Sequence, residues 1–252
     1  MSFDVAAEAY DRMMGRYSAL LAAPFADFAG VHDGRRTLDV GCGPGALTAV
    51  LVERLGAGSV VAVDPSRSFV AAAQQRHPGV EVSVAAAEDL PFADDAFDAA
   101  LAQLVVHFMK DPVAGLGEMA RVTRAGGTVA ASVWDHAGEL TPLAVFWRAA
   151  RERDPGVRDE SKLAGAAEGG LAALFREAGL RDVEDSALTM SLRHETFEEW
   201  WDPLTAGVGA AGSYLAGLDE AAQAEVRERC RSELGDGPFE IAGRAWAARG
   251  SS

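Results

Sequence analysis

Residues 37–51 read TLDVGCGPGALTAVL, with Gly41, Gly43 and Gly45 crowded around Cys42 and Pro44 between an apolar run and an amphipathic one. Glycines at a strand-to-helix turn let the chain bend sharply and let a ligand approach the N–H groups of the following helix. Gly41, Gly43 and Ala46 satisfy the G-x-G-x-x-A form of the dinucleotide fingerprint, and Asp64, 23 residues after Gly41, stands where a ribose-binding acid belongs. Asp39 lies inside the strand, two residues before the first glycine. A carboxylate there is an awkward neighbour for a pyrophosphate and a sensible one for an ammonium group. The loop therefore reads as a berth for a nucleoside with a cationic tail.

Outward from this turn the chain alternates short apolar runs with helical patterns. Strands are expected at 37–41, 59–64, 80–86, 97–106 and 128–134, with helices at 45–56, 66–77 and 111–127 between them. The last of these helices has Asp111 as its N-cap, Pro112 at its first position and a glycine pair at its end. Such alternation implies parallel βαβ units and a doubly wound α/β sheet. A sixth strand is expected at about 182–193 and a last one within 238–248. Residues 1–34 read as two helices laid across the domain, and 137–179 and 195–236 as helical cap segments interrupted by Gly and Pro. The whole chain, 1–252, reads as one domain, with 35–136 as its cofactor-binding half and only the final RGSS expected to be flexible.

Composition removes several partners. With 38 acidic against 23 basic residues the formal charge is -15, a field that repels nucleic acid and anionic membranes alike. Only Lys110 and Lys162 are lysines, so the arginine richness reads as coding bias. Two cysteines, Cys42 and Cys230, are too few for a disulfide framework or a cysteine metal site, and no metal is expected. The first residues carry acids where a secretory signal needs positive charge, so a soluble, cytoplasmic protein without membrane insertion is expected.

LDVGCGPG (38–45), VVAVDPS (60–66), AEDLPFADDAFDAAL (87–101) and RVTRAGGTVAASVW (121–134), in this order and spacing, resemble the class I S-adenosylmethionine-dependent methyltransferases, in particular the group with the small-molecule and ubiquinone/menaquinone-type enzymes. The resemblance implies a Rossmann-like, seven-stranded, mainly parallel sheet with an antiparallel last strand. It also implies a cofactor site in which Gly41, Cys42, Gly43 and Gly45 bring backbone against the methionine part, with Asp39 supporting its ammonium. Asp64, followed by Pro65, would take the ribose hydroxyls. Where relatives carry an acid for adenine, this chain has Ala86, Ala87 and Glu88, so adenine is left to Ala87, Glu88 or packing on Leu90. Gln103 and Leu104 match the position beneath the methyl group. AYDRMMGRYSALL resembles a lid helix in which Tyr10, Met14, Arg16 and Tyr17 border the methionine end. The spacing of Tyr10, Met14 and Tyr17 equally suits an ordinary amphipathic helix.

Methyl transfer from a sulfonium is an in-line displacement, and a base is needed only for an alcohol, phenol or acidic carbon. His107 and His136 follow the fourth and fifth strands, at the end of the sheet where ligands bind, and are the base candidates. A partly buried structural role is the alternative for His107, whereas His32, His77 and His194 read as surface or packing residues. All five tryptophans fall after residue 130, and Phe197, Trp200 and Trp201 form one helical stripe. Such a stripe serves either as core or, with Phe146 and Trp147, as the roof of an apolar acceptor cavity. The expected acceptor is a small, largely apolar, aromatic or polyketide-like molecule, and the sequence implies no oligomeric state. A cyclase or binding protein retaining the cofactor on the same fold stays open. A nicotinamide-dependent oxidoreductase fits the loop and Asp64 but leaves Asp39 and the 87–98 segment unexplained.

Overall fold

The structure is a computed structural model that describes residues 7–252; the first six residues of the expected N-terminal helices lie outside the described residues. It begins with α1 (Ala7–Tyr10), a π-helical turn (Asp11–Gly15) and α2 (Arg16–Phe28), which run on as one helix in place of the two expected. Then come β1 (Thr37–Val40), α3 (Ala46–Leu55), β2 (Val60–Asp64), α4 (Arg67–Arg76), β3 (Glu81–Val84), β4 (Phe97–Gln103), α5 (Pro112–Val122) and β5 (Thr123–Trp134). The rest comprises α6 (Ala144–Arg153), α7 (Gly170–Glu177), β6 (Arg181–His194), α8 (Phe197–Trp201), α9 (Gly209–Ala216), α10 (Glu220–Leu234) and β7 (Phe239–Ser251).

The strands form one sheet of seven in the order β3-β2-β1-β4-β5-β7-β6, with β7 antiparallel to both of its neighbours. This is the Rossmann-like, mainly parallel α/β sheet that the alternation predicts. β1 and β2 are buried along their whole length because helices cover both faces, so even Thr37, Asp39 and Asp64 among their apolar residues are buried. Leu38, Val40, Val61 and Val63 face α5 and α7, where Leu116, Met119, Leu171 and Phe175 fill the layer. The alternate positions, Val60, Ala62, Ala99 and Leu101, face α2, α3 and α4. Strand order reverses between β1 and β4, so the crevice above their carboxyl ends is where this fold takes a ligand.

The caps follow the sequence. Asp111 accepts the Ala114 N–H at 3.0 Å, with Pro112 next to it, and Asp219 accepts the Ala222 N–H at 2.8 Å at the start of α10. Several boundaries differ from expectation, among them the ends of β3 and β4, which stop at Val84 and Gln103. α5 stops at Val122 and β5 starts at Thr123, because Thr123 already pairs with Phe97 and its hydroxyl donates to the Met119 carbonyl at 2.7 Å. The terminal RGSS is not a loose end: Gly250 and Ser251 complete β7, opposite Val129 and Thr128. Among the described residues no helix is long and apolar enough to cross a membrane.

A third apolar cluster lies beyond the sheet edge. There Phe146 and Trp147 of α6, the α8 aromatics, Leu215 of α9, and Val226 and Cys230 of α10 pack with Met13, Tyr17 and Leu21 of the N-terminal helix. The cap segments thus share one core with the helix that crosses the sheet's ligand-binding end.

Candidate active site

The glycine loop makes the floor of the first cleft. All three glycines have positive φ, but for different reasons. A Cβ on Gly41 would lie 2.5 Å from Val105, and one on Gly45 would lie 2.4 Å from the His77 ring. Packing excludes a side chain at both. At Gly43, φ +56°, a Cβ would meet nothing within 4 Å. This is the point where bare backbone faces open space, the arrangement a close-lying ligand needs. The cleft lies between Asp39, Gly41 to Pro44, Gln103 and the helix residues Tyr10, Asp11, Gly15 and Ser18.

Asp39 is 1 % exposed, and its Oδ2 accepts the Thr48 hydroxyl at 2.6 Å. Burial pushes its carboxyl up to about 7, with Thr48 working against the shift and Asp64 adding to it. A buried carboxylate with one neutral donor is short of positive charge, so a cation in the cleft would be stabilised by it. Asp64 accepts the Gly43 N–H at 2.9 Å on Oδ2 and the Ser66 N–H at 2.8 Å on Oδ1. Burial raises its pKa, while those two N–H groups oppose the rise. Asp64 thus clasps the loop from behind. Gln103 donates to the Ser18 carbonyl at 2.9 Å, and its buried Oε1 has no partner in the chain. Bare backbone at Gly43, the buried Asp39 and the orphaned Gln103 oxygen together fit a ligand with an amino-acid tail.

Other expected contacts fall elsewhere. The Glu88 carboxylate accepts the Lys110 N–H at 2.7 Å and so holds the turn before α5, while Ala87 is buried in the core beneath that helix. Pro65 is exposed at the loop edge, whereas Cys42 does line the cleft, with its thiol buried and pushed well up by burial.

The N-terminal helix covers the cleft and is tied at both ends. Asp11 pairs with Arg76 of α4, and Arg76 also donates to the Pro44 carbonyl at 3.3 Å. At the other end Arg16 pairs with Glu199 at 2.6 Å, and the Tyr17 hydroxyl meets His194 Nε2 at 2.8 Å. Arg16 and Tyr17 therefore anchor the helix to β6 and α8 instead of bordering the cleft, and His194 is the partner of that anchor. Tyr10 and Met14 do reach the ligand spaces: Tyr10 lines this cleft and a second cavity, and Met14 lines the second. The π-turn widens the helix where it spans both, which no periodicity in the sequence signals.

The second cavity, about 540 Å³, is mainly apolar, with Met13, Met14, Leu104, Phe108, Trp134 and Leu143 among its walls. His107, His136 and Glu160 are its ionisable side chains apart from Tyr10. Burial drives the His107 imidazole well below its usual range, with His136 adding to the effect, and burial brings His136 down to about 4. Both are neutral at physiological pH. Leu104 sits at φ +61°, a strained conformation for a bulky residue, between Gln103 of the first cleft and His107 of the second. Phe197, Trp200 and Trp201 line neither space: they are core, and the roof is made by residues 141–143 and the small residues Gly209 and Ala210. Glu160, in the long connection between α6 and α7, had no sequence signal. It accepts the Trp147 indole N–H at 2.9 Å and lies 3.9 Å from His136 Nδ1, and burial raises its pKa.

A Rossmann-like sheet with a glycine loop at its switch point and an apolar cavity under a helical cap defines the class of fold. Residues 38–131 match the family described as the methyltransferase domain. Its relatives include a demethylmenaquinone methyltransferase of Beutenbergia cavernae, 39% identical over 101 residues, which cover 40% of this chain and 41% of the relative. A malonyl-[acyl-carrier protein] O-methyltransferase of Serratia marcescens is 32% identical over 148 residues, 56% of this chain and 57% of the relative. The chain thus spans about half the length of the curated relatives it matches. The solved structure of the [4+2]-cyclase SpnF shares the fold, with a TM-score of 0.56 and 20% identity over 92% of this chain and 81% of that one.

Proposed function

We propose that the protein is an S-adenosylmethionine-dependent methyltransferase acting on a small, largely apolar, aromatic or polyketide-like acceptor, and that S-adenosylhomocysteine is its product. The observation that carries this reading is that the two spaces adjoin. A polar cleft of bare backbone and a buried carboxylate meets an apolar cavity at Tyr10, which lines both, and at the adjacent pair Gln103 and Leu104. In-line transfer needs this adjacency of donor and acceptor.

S-adenosylmethionine, when bound, supplies a methyl group already activated by its sulfonium. The chain's own residues bind, align and exclude water. Gly41, Cys42 and Gly43 offer backbone, Asp39 balances the ammonium, and Asp64 is available to the ribose once Gly43 shares its N–H. Tyr10, Met14 and Leu104 separate the spaces from solvent. Such alignment is worth about 7–11 kcal/mol at its favourable limit. His107 and His136 are the bases within reach of the acceptor cavity.

The acidic charge favours a small molecule over nucleic acid as partner, and a cytoplasmic setting is part of the reading. The domain match and the methyltransferase relatives support transfer over a nicotinamide redox reaction. The cyclase SpnF keeps a second reading, a non-transferring enzyme on the same fold, in view. Calorimetry with S-adenosylhomocysteine and NADH tests the cofactor, and tight NADH binding would reject it. Incubation of native small-molecule extract with methyl-labelled S-adenosylmethionine tests the reaction: label in an extracted acceptor supports transfer, and its absence supports the cyclase or binding-protein reading.

A further inference from the structure

His136, Glu160 and Thr141 belong to two spaces at once. They line the apolar cavity, and they also line a smaller outer cleft whose other walls include Glu139, Arg151, Asp159 and Ser161. The partition between an apolar interior and a polar exterior is thus an imidazole, a carboxyl and a hydroxyl. Of the two imidazoles that line the inner cavity, His107 Nδ1 and His136 Nε2 are buried without any partner in the chain, and the two rings stand 5.5 Å apart. An unpartnered buried polar atom costs about 1–3 kcal/mol, and two of them lining one cavity point to a ligand that satisfies them.

The protonation pattern decides what that ligand must bring. His136 Nδ1 lies on the Glu160 side, 3.9 Å from Oε2, and the Trp147 indole fixes that carboxylate in place. The gap exceeds a hydrogen bond, as such pairs often do before a substrate is seated. A carboxylate opposite Nδ1 favours the proton on Nδ1 and leaves Nε2 as an acceptor. The acceptor molecule must then carry a donor. An amine attacks with a lone pair already free, whereas a hydroxyl benefits from a base that removes its proton.

Resting on the methyl-transfer reading, we propose that the cavity takes a hydroxyl-bearing apolar ring whose O–H is donated to His136 Nε2, and that Glu160 is a positioning residue that fixes the His136 tautomer. As the O–H bond breaks, its electron pair stays on oxygen and the proton passes to Nε2. The resulting imidazolium, which burial disfavours and the Asp135 and Asp159 carboxylates favour, faces Glu160 and the outer cleft, which gives the proton a way to water without opening the apolar cavity. The groups around His136 suit this: His107 is neutral, Asp135 is held by Arg244 at 2.5 Å and 2.9 Å, and Asp159 pairs with Arg151.

The test uses the full chain with ¹⁵N-labelled histidine. At pH 7.5 the wild type should show His136 protonated on Nδ1 and bare on Nε2. In Glu160→Gln the oxygen that accepts from Trp147 is the one nearest Nδ1, so the variant keeps that acceptor but loses its charge, and the Nε2–H tautomer should become populated. Direct binding of 2-naphthol and naphthalene gives a second readout. The wild type should hold naphthol roughly tenfold more tightly, and Glu160→Gln should lose that preference. A wild-type His136 carrying its proton on Nε2, or equal affinity for the two probes, overturns the proposal. S-adenosylhomocysteine binding, measured on the same samples, separates this outcome from failure of the methyl-transfer reading, which would show as no cofactor binding to the wild type.

Discussion

The glycine-loop half of the molecule and the cap half build their parts of the site by opposite means. Around β1 and β2 side chains are kept away from the cleft: at Gly41 and Gly45 neighbours crowd the place of a Cβ, and at Gly43 a Cβ would meet only open space, the room the proposed ligand would use. Under the cap the cavity walls are side chains, and they come from places far apart in sequence, such as Met13, Trp134, Leu143 and Glu160. Local chemistry dictates the first half, and only tertiary packing assembles the second.

Four substitutions sharpen this contrast. The largest effect belongs to the cap core. Phe197 is fully buried and stacked on Trp201, so Phe197→Ala should cost about 3–5 kcal/mol in chemical denaturation. A loss near zero would return the stripe to the role of cavity roof. Asp39 comes next. Its folded pKa, raised by burial to about 7, lies above its unfolded value, so its stabilising contribution is present at low pH and lost as pH rises through 7. The nearly isosteric Asp39→Asn keeps an acceptor for Thr48 and removes that loss. Its stability relative to wild type should climb by up to ~1.4 kcal/mol per pH unit between pH 5 and 7. Taking the difference also cancels the opposite trend of the buried histidines, whose lowered pKa values make stability fall in acid. A flat difference would mean that Asp39 is better solvated than its burial indicates. The smallest effect is at Gly43: Gly43→Ala should cost about 1–2 kcal/mol of stability through its positive φ, yet weaken S-adenosylhomocysteine binding by roughly tenfold or more. Gly41→Ala should reverse the balance, losing more stability because its Cβ runs into Val105.

The same contrast explains what the sequence disclosed. The alternating apolar runs lead to the sheet because each strand and helix carries its own period, and Asp111 and Asp219 are legible as caps because capping is a local bond. The end of α5 was misplaced because Thr123 answers to Phe97 across the sheet, and the last residues because Ser251 answers to Thr128. Neither partner is near in sequence. Glu160 and the Tyr17–His194 bond were hidden for the same reason, the latter linking residues 177 positions apart. The aromatic stripe was visible as a stripe, but its burial depended on α9 and α10 closing over it.

The central claim is that the cleft beside Asp39 takes a nucleoside with a cationic tail. Calorimetric titration of S-adenosylhomocysteine and of NADH at pH 6, 7 and 8 tests it most directly. A ligand ammonium selects the ionised form of Asp39, so S-adenosylhomocysteine should bind, tighten as pH rises toward about 7 and level off above it, and the pH dependence should vanish in Asp39→Asn. NADH binding more tightly than S-adenosylhomocysteine, or an affinity that ignores both pH and Asp39→Asn, would contradict the account.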